Sequence, residues 1–134
     1  MALHRRVAES LEDVHGHDLV AHALALGTHY RNGETWEKAA AFLHMAGRQA
    51  AMRSAHQEAV ACFEEALAAL RRLQASPEVD DRHLDIRIEL RQSLYPMGRF
   101  ADLLRHLREA ERMAEKLEDR PRLARVSAYV SNHA

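Results

Sequence analysis

The feature that most constrains the fold of this chain is a small–large–small spacing among its apolar residues. In residues 40–73, Gly47 is followed by Ala59, Phe63 and Ala66. Small residues at a helix crossing let two backbones approach closely, and one larger apolar side chain fills the gap that remains. The spacing therefore predicts antiparallel helix pairs that touch at glycine and alanine.

The same spacing recurs in two further frames, which begin at residues 20 and 84. The first reads Leu26-Gly27 and is a close match, whereas the second has Arg91 at a small position and Leu103 where alanine is expected. A 34-residue frame of this kind is typical of tetratricopeptide repeats. A generic helix bundle is the alternative, since Ala and Leu recur at such intervals in any packed helix. The repeat positions are Gly27, Tyr30, Ala39, Ala46, Gly47, Ala59, Phe63, Ala66, Gly98, Leu107 and Ala110.

Apolar periodicity predicts an all-α fold, because no window shows the alternation of a strand. We expect about seven helices in a right-handed α-solenoid of antiparallel helix hairpins, forming one domain over residues 1–134. Short connections favour this arrangement, since each hairpin exposes an apolar face that another hairpin covers. The predicted helices lie near 3–14, 17–31, 35–53, 56–74, 81–96, 100–117 and 121–133.

Glycines and capping residues predict where these helices begin and end. Glycine can adopt the left-handed conformation that closes a helix, and Ser or Asp side chains can cap the next one. A connector over 74–83, which contains Ser76-Pro77, is expected to be the most mobile loop. The predicted stops are Gly16, Asn32-Gly33 and Gly98, and the predicted caps are Ser54 with Gln57, Asp80 or Asp81, and Asp119 before Pro121.

Composition argues against several classes of function. The chain has 19 basic and 20 acidic residues, a net charge of −1, and the two signs alternate along it. This balance argues against a nucleic-acid surface or a membrane anchor. The single Cys62 permits no internal disulfide and favours a reducing cytoplasm, and no stretch approaches the roughly 20 apolar residues of a membrane span. We expect a cytoplasmic protein whose thiol is packed and inert.

Several short segments spread over nearly the whole chain carry a family resemblance. They are Leu3-His4-Arg5-Arg6-Val7-Ala8-Glu9, Tyr30-Arg31, Trp36-Glu37-Lys38-Ala39, Ala46-Gly47, Arg53-Ser54-Ala55, Glu58-Ala59, Phe63-Glu64-Glu65-Ala66-Leu67 and Leu123 to His133. With these segments the chain resembles the helical region of certain large bacterial signalling proteins. Those proteins join a class III adenylate/guanylate cyclase or a transcription-activator domain to an AAA/STAND-type ATPase that is followed by tetratricopeptide helices. A preference for arginine over lysine, with only Lys38 and Lys116 present, also suggests a GC-rich bacterial genome.

The resemblance implies a non-catalytic interaction or regulatory module of a larger ATP-dependent protein, with the ATPase and output domains upstream and more repeats downstream. A stand-alone peptide-binding adaptor is the alternative. The partner would be a protein or peptide, which includes other domains of the same polypeptide. We also expect the last helix to have an uncovered apolar face that favours a homodimer. The predicted partner-binding groove comprises His44, Arg48, Met52, Ile88, Gln92, Tyr95, Arg125 and Asn132.

Catalytic and metal chemistry find little support in the sequence. His15 and His17, with Asp13 or Asp18, are the tightest candidate ligands among ten histidines. A metal site needs three or four converging ligands, and no nucleophile–base pair or phosphate-binding glycine motif is present. We therefore expect no enzyme activity, metal or cofactor, and a small helical metal-binding protein is the least favoured alternative.

Overall fold

A computed structural model describes residues 22–133, and within this range all the secondary structure is helical, with no strand. The all-α prediction is confirmed for this part of the chain. The predicted helix 3–14, the stop at Gly16 and the candidate ligands at residues 13–18 lie outside the described residues. The six described helices are α1 (Ala23–Asn32), α2 (Trp36–Met52), α3 (His56–Arg71), α4 (Pro77–Leu94), α5 (Phe100–Lys116) and α6 (Arg120–His133).

The helices belong to two compact units, of which the first ends at Leu73 and the second begins at Gln74. In the first unit α2 packs against both α1 and α3, and in the second α5 packs against both α4 and α6. Each described unit thus places one central helix between two others. The single domain and the solenoid stay predictions, because successive repeats of an array are themselves compact units.

Four helix–helix turns in the described chain share one backbone motif. A residue with positive φ follows the helix, and the next residue donates its N–H to a carbonyl five positions back, as in a Schellman turn. Within each unit the two left-handed residues are 20 positions apart (34 to 54 and 98 to 118), so the turns repeat with the helices. The left-handed residues are Glu34, Ser54, Gly98 and Glu118, and the bonds are Thr35 N to Tyr30 O (2.8 Å), Ala55 N to Ala50 O (2.8 Å), Arg99 N to Leu94 O (3.1 Å) and Asp119 N to Ala114 O (3.0 Å).

The turn residues differ in part from those predicted. Gly98 has a φ of +69°, as expected, but Gly33 has a φ of −84° and the left-handed position falls on Glu34, at +58°. Ser54 also takes this position, with a φ of +60°, and α3 begins after Ala55 without a side-chain cap. The predicted capping box at Ser54 is therefore wrong, because Ser54 closes the preceding helix instead of opening the next.

Glycine at a left-handed turn position should stabilise the chain, because other residues are strained there. We expect Glu118→Gly to raise the free energy of unfolding, measured by urea denaturation, by about 0.5–1 kcal/mol. The control Ala61→Gly, at an exposed position inside α3, should lower it by a similar amount because glycine weakens a helix interior. A loss of stability in Glu118→Gly would contradict this account of the turn.

The predicted connector 74–83 is shorter in the structure, because α4 begins at Pro77. Ser76 is the N-cap, and its Oγ accepts a hydrogen bond from the Val79 N–H at 3.2 Å. Proline suits the first helical position because its missing N–H would have no helical partner there. The prediction of Asp80 or Asp81 as the cap is therefore wrong, whereas Asp119 does cap α6, accepting the Arg122 N–H at 3.0 Å.

Glycine marks the closest helix contacts of the first unit. A Cβ atom added to Gly47 would lie 2.6 Å from the ring of Phe63 on α3. A Cβ on Gly27 would lie 2.8 Å from Cγ of Leu43 and 3.1 Å from its backbone nitrogen, so α1 crosses α2 equally closely. All the predicted repeat positions are buried except Gly98, which lies in an exposed turn; they are Gly27, Tyr30, Ala39, Ala46, Gly47, Ala59, Phe63, Ala66, Leu107 and Ala110.

Candidate partner-binding surface

The structure exposes most of the side chains predicted to line a partner-binding groove. In the first unit Arg48 and Met52 are exposed on α2, Met52 at 87%. The exposed members in the second unit are Gln92, Tyr95, Arg125 and Asn132, and Ile88 is half-buried.

His44 differs from this prediction, because its side chain is buried. It is only 4% exposed, and its ring packs edge-on against Phe63 with 5.9 Å between ring centroids. His44 precedes Gly47 by three residues, so both lie on the face of α2 that contacts α3. The sequence prediction placed His44 on the exposed side of α2, whereas its side chain lies on the side that contacts α3.

In the second unit, α4 and α6 lie side by side and run parallel. Near their N-terminal ends, Arg122 of α6 pairs with Asp81 and Asp85 of α4. Near their C-terminal ends, the ring of Tyr95 lies 5.4 Å from that of His133. The exposed faces of two helices therefore form one surface on this unit.

Arg122 fixes the first turn of α6 through three carboxylates. It donates to Asp85 at 2.8 Å and to Asp119 at 2.5 Å, and it also pairs with Asp81. Burial alone would lower the pKa of Arg122, but the bonds to the three aspartates outweigh it and raise the pKa. The backbone and side-chain hydrogen bonds from Arg122 in turn lower the pKa of Asp119. These contacts are structural, since all three carboxylates are directed at an arginine.

A row of π systems extends along the C-terminal half of α4 and α6. The Arg91 guanidinium lies 3.9 Å from the centroid of the Tyr129 ring, and its Nε donates to Nε2 of His133 at 3.3 Å. The Tyr95 ring contacts His133 and, 5.8 Å away, Phe100 at the start of α5. This π row holds three of the six Tyr and Phe residues of the chain.

Tyr95 and Phe100 remain 54% and 51% exposed despite these contacts. Rigid, partly exposed aromatic side chains lose little entropy on binding and are enriched in protein interfaces. Sequence analysis found Tyr95 but missed Arg91, Tyr129 and His133. The signal available was the four-residue spacing of Arg91 to Tyr95 and of Tyr129 to His133, which places each pair on one helix face.

The exposed face of α6 differs from the apolar face expected for the last helix. Val126 is buried, Leu123, Tyr129 and Val130 are half-buried, and no large apolar side chain of the described α6 is fully exposed. The outward positions hold arginine and small or polar residues instead. A homodimer through α6 stays a prediction, and it would bring two positively charged helices together. The exposed residues are Arg120, Pro121, Ala124, Arg125, Ala128, Ser131 and Asn132.

The second unit also contains a buried polar pair, Arg87 of α4 and His106 of α5. Both side chains are at most 5% exposed, and Nη1 of Arg87 lies 2.8 Å from Nδ1 of His106. Because a guanidinium can only donate, Nδ1 accepts, and His106 is neutral with its proton on Nε2. The pair joins α4 to α5 and lies away from the exposed surface.

Residues with reactive side chains give no sign of a catalytic or metal centre in the part of the chain that the structure describes. Cys62 is buried, and desolvation, followed by the nearby carboxylates of Glu65 and Glu58, raises the pKa of its thiol. A protonated, packed thiol is a poor nucleophile. Between residues 22 and 133, no three His, Cys, Asp or Glu side chains converge as metal ligands.

No helix in the described range is both long and apolar enough to cross a bilayer. Comparison with known proteins gives no match to this chain among family models, curated proteins or solved structures. The resemblance to the tetratricopeptide region of bacterial AAA/STAND proteins therefore stays a prediction.

Proposed function

We propose that this chain is a non-catalytic protein–protein interaction module built from tetratricopeptide-like helix pairs. It binds an extended peptide or a neighbouring domain on the surface formed by α4 and α6. In the cell it regulates a larger, cytoplasmic, bacterial ATP-dependent signalling protein whose output domain is a cyclase or a transcriptional regulator.

The observation that carries this proposal is the pair of exposed rings in the π row, Tyr95 and Phe100, flanked by polar side chains. Tyr95 and Phe100 offer apolar area, while Gln92 on α4 and Asn132 on α6 offer amide groups that can bond to a peptide backbone. Mixed aromatic and amide surfaces suit extended peptides, because the amides pair with backbone groups and the rings add buried area. The close packing of Gly47 against Phe63 and of Gly27 against Leu43 supports the repeat-like helix pairs.

Peptide display against the purified chain tests the binding surface. We expect enriched peptides whose affinity falls at least about tenfold in Tyr95→Ala, because aromatic anchors commonly contribute more than 1 kcal/mol. Gln92→Ala should have a smaller effect, and Gln57→Ala, at an exposed position of α3, should have none. Failure to enrich any peptide, or binding unaffected by Tyr95→Ala, would contradict the proposal.

The reading frame that encodes the chain tests the second part of the proposal. A module of the larger signalling protein requires a phosphate-binding G-x-x-x-x-G-K-[ST] motif upstream of Met1 in the same frame. A stand-alone adaptor would instead be expressed as a discrete short protein that still binds peptide through Tyr95. Detecting the full-length product in cell extract with an antibody against this chain distinguishes the two.

A further inference from the structure

The last described helix differs in charge from the rest of the chain. Within Arg120–His133 there are three arginines, and the helix contains no aspartate or glutamate. The whole chain has 19 basic and 20 acidic residues, so the remainder has 16 basic residues, 19 less these three, against 20 acidic. The charged side chains of α6 are thus all positive apart from its histidine, although Arg122 is already paired with Asp81, Asp85 and Asp119.

One guanidinium group stacks on the ring of Tyr129, and a second arginine lies one helical turn before Tyr129 on α6. Arg91 of α4 lies over the ring, 3.9 Å from its centroid. Arg125 precedes Tyr129 by four residues, so the two side chains are neighbours on the surface of α6. We refer to Arg91 and Arg125 as the arginine pair.

The arginine pair keeps most of its hydrogen-bonding capacity. Arg91 is half-buried and uses only its Nε, which donates to His133, whereas Arg125 is exposed. Arg125 is close enough to Asp119 to contribute to the lowered pKa of that carboxyl, but no hydrogen bond joins the two side chains in the described chain. A guanidinium has five N–H donors, and stacking on a ring occupies its face and leaves its edge free. Both arginines can therefore donate to a bound partner.

The arginine pair is continuous with the exposed aromatic rings. His133 bonds to Arg91 and contacts the ring of Tyr95, which in turn contacts Phe100. The nearby exposed positions of α6, Ala128 and Asn132, have short side chains that leave this surface open. A ligand would therefore meet positive charge beside Tyr129 and apolar area at Tyr95 and Phe100.

We infer that this surface selects an acidic protein segment, with a carboxylate bound by the arginine pair and an apolar side chain against Tyr95 and Phe100. This inference rests on the proposed function and names the class of partner. Guanidinium groups bind carboxylates in a forked geometry, and complementary charge gives specificity. Stacking on Tyr129 holds Arg91 in place before binding, which lowers the entropy cost of such a contact.

A protein segment fits this surface better than a nucleic acid. Asp81 and Asp85 of α4, which are 54% and 41% exposed, border α6 beside Arg122. A phosphate backbone carries a negative charge at every nucleotide, so these carboxylates would repel it. A peptide can place an acidic residue opposite the arginine pair and neutral residues opposite the aspartates.

Binding of fluorescein-labelled model peptides to the full chain tests the inference. Three peptides share the same leucine and phenylalanine positions, carry two adjacent Glu, Gln or Lys residues, and have serine at the remaining positions. A labelled oligothymidylate represents nucleic acid. We expect the Glu peptide to bind about tenfold tighter than the Gln peptide, because charge-assisted hydrogen bonds are roughly twice as strong as neutral ones. Added salt should weaken binding of the Glu peptide in the unaltered chain.

The variant Arg91→Gln with Arg125→Gln should bind the Glu and Gln peptides equally, because it removes the positive charge and keeps polar side chains. Arg125→Gln alone leaves the stacked Arg91 in place and should reduce the preference only in part, by about threefold. The single variant changes an exposed side chain, so it keeps the test valid if the double variant does not fold.

The matched control is Arg71→Gln with Arg108→Gln. It makes the same change in net charge at two exposed arginines outside α6 that form no ion pair among the described side chains. Retention of the Glu-peptide preference by this control, with its loss in the variant of the arginine pair, supports the inference. Circular dichroism should show the same helix content in all the variants.

Other outcomes overturn the inference. Equal binding of the Glu and Gln peptides to the unaltered chain, with Tyr95→Ala still reducing both, would refute the acidic preference and leave the proposed function intact. A preference that survives in the variant of the arginine pair would refute the role of these two residues. Stronger binding of oligothymidylate than of the Glu peptide would show that the surface binds phosphate. Failure of all three peptides to bind, with no peptide enriched in the display experiment, would refute the proposed function itself.

Discussion

Phe63→Ala is expected to lower the free energy of unfolding by about 3–5 kcal/mol in urea denaturation. The ring is 1% exposed and lies directly over Gly47 in the contact between α2 and α3. Removing it leaves a cavity that the two helices cannot close without moving, and also removes the edge-on contact with His44. A loss of this size is a large share of the roughly 5–15 kcal/mol by which an ordinary domain is stable.

Phe100→Ala is the matched control, because it removes the same side chain from a surface position. Phe100 is 51% exposed, and its ring contacts that of Tyr95 edge-on. We expect a loss of stability below about 1 kcal/mol, since about half of the residue is already exposed to water and its removal leaves no buried cavity. Similar losses in the two variants would contradict the placement of Phe63 in the core.

His106→Leu is the second large expected effect, with a loss of about 3 kcal/mol. The substitution removes the acceptor at 2.8 Å from a guanidinium that is only 5% exposed. The Arg87 charge would then remain in the core without this hydrogen bond. Leucine is a good packing residue, so a loss would reflect the missing hydrogen bond to the buried guanidinium more than lost volume.

The double variant Arg87→Met with His106→Leu separates these causes. Replacing a buried polar pair with apolar residues of similar size is often neutral or stabilising, whereas removing one partner is not. We therefore expect the double variant to be more stable than His106→Leu alone. If the double variant loses as much stability as Arg87→Met alone and His106→Leu alone added together, the two side chains do not stabilise each other.

The helices and the close contacts of the first unit follow from local sequence pattern. The all-α character was predictable because the apolar residues follow a helical period and strand alternation is absent. Gly27 and Gly47 were identifiable because each is followed by a large apolar residue sixteen positions later, Leu43 or Phe63. One helix and a short turn separate the members of each pair, so sequence spacing reports directly on packing.

The turn chemistry was harder to predict, because the motif tolerates residues that disfavour it. Glu34, Ser54 and Glu118 adopt positive φ, although glycine is the preferred residue there. The backbone hydrogen bonds of each turn offset that strain. Because almost any residue can form them, they cannot be recognised from residue identity. Glycine-based prediction therefore found Gly98 and assigned Gly33 in place of its neighbour.

The candidate site was predictable only where one helix determines exposure. Gln92, Tyr95, Arg125 and Asn132 are exposed, whereas His44 is buried because it shares the Gly47 face of α2. The π row and the arginine pair depend on contacts between α4 and α6, such as that of Arg91 with Tyr129. Partners 38 positions apart (91 to 129) cannot be paired from helix periodicity alone. An overall charge near zero likewise hid the positive charge of α6.

The central claim is that α2 and α3 touch where glycine leaves room for a large side chain. A double-mutant cycle between Gly47→Ala and Phe63→Ala, followed by urea denaturation, measures this most directly. Alanine favours a helix over glycine by about 1 kcal/mol, so Gly47→Ala should stabilise the chain unless the ring obstructs it. We predict that Gly47→Ala destabilises the unaltered chain and stabilises the Phe63→Ala chain. Equal stabilisation in both backgrounds would contradict the claim.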